Sequence, residues 1–360
     1  MSRAYNFSAG PAALPEPVLR QAQSELPEWG KAHASVMEIS HRGKEFVALA
    51  QESERDLRAL LQIPQNYKVL FLQGGATQHF AQIPMNFSRR DQGADYVITG
   101  HWGEKAYKEA KPVTQAHIAA SGADGNFTAI PPRDTWKLDA SAAYVHYTPN
   151  ETIHGVEFHS VPDVGSVPLV ADMSSTLLSR PLDVSRFGVI YAGAQKNIGA
   201  SGLVVMIVRE DLLERCPKDI PKIFNYAEHV ANESMLNTPN TFGWYLAGLV
   251  FKWLIAEGGL AAVGARNRAK AELLYAYIDG SGFYRNPVEK SARSWMNVPF
   301  TLPREELDAA FLKEAEAAGL MALKGHRAVG GMRASIYNAL PLEGVKALVD
   351  FMKDFARRNG

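Results

Sequence analysis

The sequence predicts an α/β fold: a mixed, mostly parallel sheet in a large domain, followed by a smaller α+β domain. Two observations carry this expectation. From Val69 onward, short β-rich runs alternate with longer segments of mixed polarity, the pattern of strands threaded by crossover helices. Most of those runs are continuously apolar, as strands covered on both faces must be.

Taken in order, residues 69–73 (VLFLQ), 96–99 (YVIT), 143–147 (AYVHY), 169–171 (LVA) and 189–192 (VIYA) are the candidate strands. The next run, 203–208 (LVVMIV), follows with only residues 193–202 between. A parallel crossover needs about a dozen residues, so this strand is expected to run antiparallel. Beyond Asn240 the period becomes helical. Val345, Leu348, Val349, Met352 and Phe355 share one face, while Glu343, Lys346, Asp350, Lys353 and Asp354 fall elsewhere. That helix closes the second domain. The glycine-rich stretch 256–264 marks the boundary, with residues 16–255 assigned to the large domain and 1–15 with 256–360 to the small one.

Thirty-eight Lys and Arg balance 38 Asp and Glu among 360 residues, so the chain carries no net charge with which to grip nucleic acid or an anionic membrane. At 46% hydrophobic it has ample material for a large core. Its single cysteine, Cys216, forms no internal disulfide, and the first residues lack the apolar core of a secretory leader, so a cytoplasmic location is expected. The longest uncharged apolar run, 242–251, falls short of the roughly 18 residues a membrane span needs.

Several motifs fail on inspection. Gly188 and Gly193 have P-loop spacing, but Ala194 and Gln195 stand where Lys and Ser or Thr must touch phosphate and magnesium. Gly280 and Gly282 begin a dinucleotide fingerprint that Arg285 interrupts. His154, Glu157 and His159 approach a zinc-protease motif, yet histidines five apart do not share a helical face; they read as surface or strand residues.

A different constellation remains. Lys196, in GAQKNIG, follows a buried strand and so projects at the carboxyl edge of the sheet, where open α/β folds place ligands. A lone loop lysine is ordinarily solvated, so its neighbours decide. Asp172 ends the preceding strand and should reach the same edge, unless it is only a turn-former. Gly74-Gly75-Ala76-Thr77 follows a strand and opens a helix, turning backbone N–H groups toward an anion. Gly100-His101-Trp102-Gly103 places an indole there too, though an isolated Trp usually packs in a core. An amine, a carboxylate, an aromatic plane and a phosphate cradle are what pyridoxal phosphate asks of a protein.

At these residues the sequence resembles the phosphoserine aminotransferases, a branch of the class V, fold type I pyridoxal-phosphate aminotransferases. The likeness runs through NFSAGPA (6–12), SVMEISHRGKEF (35–46), HYTPNETIHG (146–155), GAQKNIG (193–199) and KGHRAVGGMRASIYNALP (324–341). It implies Lys196 as the cofactor-bearing lysine and cofactor contacts from Ala76, Thr77, Trp102, Thr152, Asp172 and Gln195. It also implies a homodimer with shared sites, in which Asn237 and Thr238 reach the cofactor phosphate of the other subunit. The implied reaction is reversible amino transfer between glutamate and 3-phosphohydroxypyruvate, as in serine biosynthesis. A related phosphorylated substrate of pyridoxine synthesis is used by many of these enzymes.

A phosphorylated 2-oxo acid carries a carboxylate and a phosphate of about −1.5 to −2 charge, so its site must gather cations that the neutral chain does not advertise. His41-Arg42 and His326-Arg327 fit, and so does Arg333, which resembles the family's arginine for the substrate α-carboxylate. Two other readings stand beside this one. A cysteine desulfurase of the same class would need a mobile catalytic cysteine, whereas Cys216 lies in ERCPKD with no glycine-rich setting. A non-catalytic α/β binding protein would use Lys196 only for packing or capping.

Overall fold

The computed structural model describes residues 3–88 and 92–360. Seven strands form the central sheet: β1 Tyr67–Gln73, β2 Ala94–Ile98, β3 Ala116–Ser121, β4 Val145–Tyr147, β5 Leu169–Asp172, β6 Val189–Gly193 and β7 Leu203–Arg209. Their spatial order is β1-β7-β6-β5-β4-β2-β3. The five strands from β6 to β3 in that order are parallel, and β7 runs antiparallel to both of its neighbours, as the short link after β6 required. Strand β3 (AHIAAS) was not expected. It is an edge strand with Ile118 47% exposed, so it lacks the continuous apolar run that exposed the others.

Alternation along the strands distributes side chains to two cores. In β7, Leu203, Val205 and Ile207 join the core that includes Phe46, Leu57, Trp244 and Phe251, whereas Val204, Met206 and Val208 join Phe80, Ile83 and Ala106 on the other face. Helices Lys44–Leu61 and Thr241–Ala256 cover the first face, and Ala76–Phe87 with His101–Ala110 cover the second. The sequence TFGWYLAGLVFKWLIA is therefore apolar nearly all round because it is buried; Phe71 stacks on Trp244 with ring centroids 4.4 Å apart. Among the described residues, no single helix is long and apolar enough to cross a membrane.

At Gly258 and Gly259 the chain turns through 84° between Thr241–Ala256 and Gly259–Gly280. Both glycines have positive φ, +92° and +72°, which other L-residues adopt only with strain. The second helix leads to another core, where Phe7, Leu274, Phe300, Phe311, Val345, Leu348, Met352 and Phe355 pack around the antiparallel pair Asn297–Phe300 and Met332–Ser335. All five apolar positions expected on the last helix, Leu342–Asn359, are buried.

A short hairpin, Asn150–Glu151 with Val156–Glu157, bridges the two cores. Its turn brings Gly155 (φ +72°) against the strand Asn297–Phe300; a Cβ there would overlap the Pro299 ring and lie 2.8 Å from the Asn297 carbonyl oxygen. Gly155→Ala is expected to destabilise the protein by about 1–3 kcal/mol, combining left-handed strain with a steric clash. An unchanged urea-unfolding midpoint would show that the bridge yields freely.

Candidate active site

Every element of the site leaves the carboxyl end of a parallel strand or lies beside one. After β6, Ala194 N–H donates to the Leu203 carbonyl, and the amides of Ile198 and Gly199 return to the Ala194 carbonyl. Lys196 thus sits on a tight turn pinned to β7. The segment 6–12 crosses this turn: Ala12 N–H donates to the Gln195 carbonyl, and a Cβ on Gly10 (φ +146°) would lie 3.7 Å from Lys196 Cγ and 3.8 Å from its Cε. A side chain at position 10 would start in van der Waals contact with the lysine, and the positive φ favours glycine there.

Lys196 Nζ donates to Thr152 Oγ1 at 2.7 Å and lies 5.8 Å from the centroid of the Trp102 ring. Burial lowers its pKa from 10.5 to about 8; the Asp172 and Glu151 carboxylates oppose that shift, while Arg333 adds to it. Asp172 ends β5 and is 4% exposed. Its Oδ1 accepts from the Ser174 amide (3.0 Å) and hydroxyl (2.6 Å), and Gly193 N–H donates to the same hydroxyl oxygen, tying the ends of β5 and β6 together. Burial raises the Asp172 pKa, with Lys196 the largest opposing influence. Desolvation thus pushes both partners toward neutrality.

Around this pair stand groups to which sequence reasoning gave no role in the site. Glu151 is fully buried and accepts from the amides of Trp102 (2.9 Å) and Gly103 (2.7 Å) at the start of His101–Ala110. Burial lifts its pKa to about 7 against those two hydrogen bonds. Its signal lay in plain sight beside Thr152, but a glutamate one residue from a hydroxyl has no spacing to recognise. Tyr337, also buried, donates to the Ala9 carbonyl and accepts from Asn297 Nδ2, linking the N-terminal segment to the second core. His101 stands 5.9 Å from His326, ring to ring. Burial, then His101 and His326, lower the His154 pKa to about 4.

Of the expected cationic groups, Arg333 comes from the strand Met332–Ser335, close enough to depress the proton affinity of both Lys196 and His326. Its Nε is buried without a hydrogen-bond partner. Arg327 is exposed next to His326. Within one chain, and among the described residues, no hydrogen bond or ion pair joins His41 or Arg42 to the Lys196 cluster; Arg42 N–H donates only to the neighbouring Ser40 hydroxyl. Asn237 and Thr238 lie at the end of β1, where Gln73 Nε2 donates to Asn237 Oδ1 (3.3 Å) and the Thr238 carbonyl (2.7 Å). Ala76 and Thr77 open the helix Ala76–Phe87, whose first turn has no side-chain cap.

Free N–H groups at that helix start, an amine of reduced basicity, a buried carboxylate, and an indole with an unpartnered buried Nε1 fit a flat, anionic aldehyde cofactor. The His154, Glu157 and His159 trio does not form a metal site. Glu157 is paired with Arg180, His159 Nε2 lies 2.9 Å from the Arg293 carbonyl, and no cluster of three or more ligating side chains exists among the described residues.

The chain is similar to known proteins over nearly its whole length. A family described as aminotransferase class-V matches residues 4–348. The phosphoserine aminotransferase of Stenotrophomonas maltophilia strain R551-3 is 60% identical over the whole of both chains, and that of Hahella chejuensis strain KCTC 2396 is 59% identical over 99% of each. A solved phosphoserine aminotransferase from Bacillus circulans subsp. alkalophilus superposes with a TM-score of 0.98 at 52% identity, covering 99% of both chains. The PLP-bound enzyme from Trichomonas vaginalis gives 0.93 at 44% identity, over 98% of this chain and all of that one.

The desolvated lysine makes a direct prediction. Because its pKa falls from 10.5 to about 8, the neutral and therefore nucleophilic amine should appear between pH 7 and 9. Reductive labelling of the cofactor-free chain with a small aldehyde, followed by peptide mass mapping, should show Lys196 modified with a midpoint near pH 8. A midpoint near 10, shared with surface lysines, would contradict the burial argument.

Proposed function

The chain belongs to the class V aminotransferases, and from that premise we propose that it catalyses reversible amino transfer between L-glutamate and 3-phosphohydroxypyruvate, giving O-phospho-L-serine and 2-oxoglutarate. The observation that carries this is the Lys196, Thr152 and Asp172 grouping at the ends of β5 and β6, in a chain similar to phosphoserine aminotransferases over its whole length. Pyridoxal phosphate is the cofactor; when bound it withdraws electrons from an attached amino acid and carries the amino group between donor and acceptor.

Each residue then has a task. Lys196 is the attachment point, and its Nζ, once freed, takes the proton from the substrate Cα and returns one on the product side; a pKa of about 8 suits both directions near neutral pH. Thr152 orients that nitrogen through the 2.7 Å hydrogen bond. Asp172 presents negative charge to the ring nitrogen and favours its protonated form. Trp102 forms a wall that excludes water, and Gln195 holds the turn against the N-terminal segment through its carbonyl. The first amides of the helix Ala76–Phe87, at Ala76 and Thr77, receive the cofactor phosphate. Arg333 pairs with the substrate α-carboxylate in the planar, two-point manner that lysine cannot match.

The distal phosphate falls to His326-Arg327 and His41-Arg42, and the γ-carboxylate of glutamate takes the same seat, so one cationic cluster serves both half-reactions. We place the enzyme in the cytoplasm as a homodimer, with Asn237 and Thr238 reaching the cofactor phosphate of the other subunit. The larger phosphorylated oxo acid of pyridoxine synthesis is a second substrate consistent with the same recognition. Cys216 gives no support to a desulfurase: burial pushes its thiol up to about 11, which keeps it protonated and unreactive near neutral pH.

The purified protein should be yellow, with a visible band that shifts on adding glutamate, and borohydride should fix the cofactor to position 196. A colourless protein indifferent to pyridoxal phosphate would support a non-catalytic scaffold instead. Asp172→Ala should fold normally and lose on the order of 100- to 1,000-fold in turnover, the scale of removing one preorganised charge; near-normal turnover would dismiss its role. Arg42→Ala should cut kcat/KM for the phosphorylated oxo acid by about 10- to 100-fold, as expected for one charged hydrogen bond, with the cofactor spectrum unchanged. Unaltered kinetics would remove Arg42 from the pocket.

A further inference from the structure

We propose that Glu151 is a positioning residue: its buried carboxylate clamps the start of the helix His101–Ala110 so that the Trp102 ring is held at a set distance from Lys196. This rests on the reading, given above, that Trp102 is a wall of the cofactor site.

Three observations converge. First, both carboxylate oxygens are committed, Oε2 to Trp102 N–H and Oε1 to Gly103 N–H, and the residue is fully buried. The geometry is that of an anion bound at a helix N-terminus, except that the anion belongs to the chain. Second, the backbone is shaped to admit it. A Cβ on Gly100 would fall 2.5 Å from Glu151 Cγ and Cδ, and one on Gly103 would lie 3.3 Å from Oε1, so Gly100 in GHWG is the space the carboxyl group occupies. Third, the Trp102 indole has no hydrogen bond of its own; its Nε1 is buried and unpartnered, and besides apolar packing against the core on that face its ring meets an edge-on His101 at 5.4 Å and the ammonium groups of Lys196 and Lys105. With no polar partner to fix it, the ring stands where the backbone at residue 102 and this apolar packing place it.

Glu151 and Thr152 are consecutive, and they hold opposite sides of the site: one fixes the ring wall through backbone amides, and the other fixes the Lys196 amine. A single dipeptide of the bridging hairpin thereby sets the spacing between wall and amine. The clamp has an electrostatic consequence as well. Two helices, Ala76–Phe87 and His101–Ala110, begin at this edge of the sheet, and the first has no side-chain cap. With the first amides of the second terminus already taken by Glu151, a phosphate dianion finds its open seat at Ala76 and Thr77.

Glu151→Gln preserves shape but turns an amide NH₂ toward a backbone N–H, so one clamp bond is lost. Glu151 also sits near Lys196 and Asp172, and an effect through charge must be separated from one through Trp102. A double-mutant cycle does this. Equilibrium dialysis would give the pyridoxal phosphate affinity of the wild type, Glu151→Gln, Trp102→Phe and the double variant, and near-UV circular dichroism of the cofactor-free chains would report the indole. Each single change is expected to weaken binding about tenfold, Glu151→Gln within the range of one charged hydrogen bond and Trp102→Phe within that of lost aromatic contact. The double variant should be no more than about twofold weaker than Trp102→Phe, and Glu151→Gln should lose the same dichroic band that Trp102→Phe removes.

Multiplicative losses in the double variant, or unchanged affinity and dichroism in Glu151→Gln, would overturn the inference while leaving the wider functional reading intact. A wild-type chain that takes up no pyridoxal phosphate overturns that reading and this inference with it. Should Glu151→Gln not fold, Glu151→Asp, with the charge on a shorter arm, completes the cycle. Failure of both to fold would assign Glu151 to stability alone.

Discussion

Desolvation of one amine is the constraint on which the rest of this structure depends. Lys196 is useful only if its nitrogen is neutral part of the time near neutral pH, and in water it would not be. Burial at the end of β6 makes it so, and two carboxylates within range keep the shift moderate. Those carboxylates are themselves desolvated, and Asp172 and Glu151 are tolerated only because each accepts two hydrogen bonds from donors that cannot move away. Charge, burial and backbone amides are balanced as one system.

That balance needs a rigid frame on both sides. The parallel strands bring their carboxyl ends to one edge, so Asp172, Gly193 and the start of the helix Ala76–Phe87 arrive together without long loops. From the other side, a buried polar network reaches across from the second core. Asn150 Nδ2 donates to Asn297 Oδ1, Asn297 Nδ2 to Ser335 Oγ and Tyr337 Oη, and Asn338 N–H to Asn197 Oδ1 beside Lys196. Side-chain amides serve here because each can supply donor and acceptor at once; Asn297 uses both, while Asn150 contributes only its Nδ2, and such hydrogen bonds in a low-dielectric interior resist relative displacement.

Much of the architecture was legible beforehand, and for a simple reason: strands buried on both faces need apolar centres, and residues 69–72 of β1, 169–171 of β5, 189–192 of β6 and 203–208 of β7 provide them. The antiparallel direction of β7 followed from chain length alone. Strand β3 escaped because an exposed edge strand needs no such pattern, and AHIAAS has none. In the site, Lys196, Asp172 and Trp102 were recognisable as residue types suited to one chemistry at one edge. Glu151, Tyr337, His101 and His154 were not, since their significance lies in what they face. His41 and Arg42 matched a family block, yet among the described residues no hydrogen bond or ion pair joins either to the Lys196 cluster.

By itself, then, the amino-acid order determined most of the sheet and the class of cofactor and pointed to Lys196, because those depend on local periodicity and on side-chain chemistry. Only the tertiary structure decided how basic that residue is, which carboxylate caps which helix, and where the indole ring stands. These are consequences of desolvation and of distances between segments far apart in the chain, such as Trp102, Glu151 and Lys196, and no local pattern encodes them.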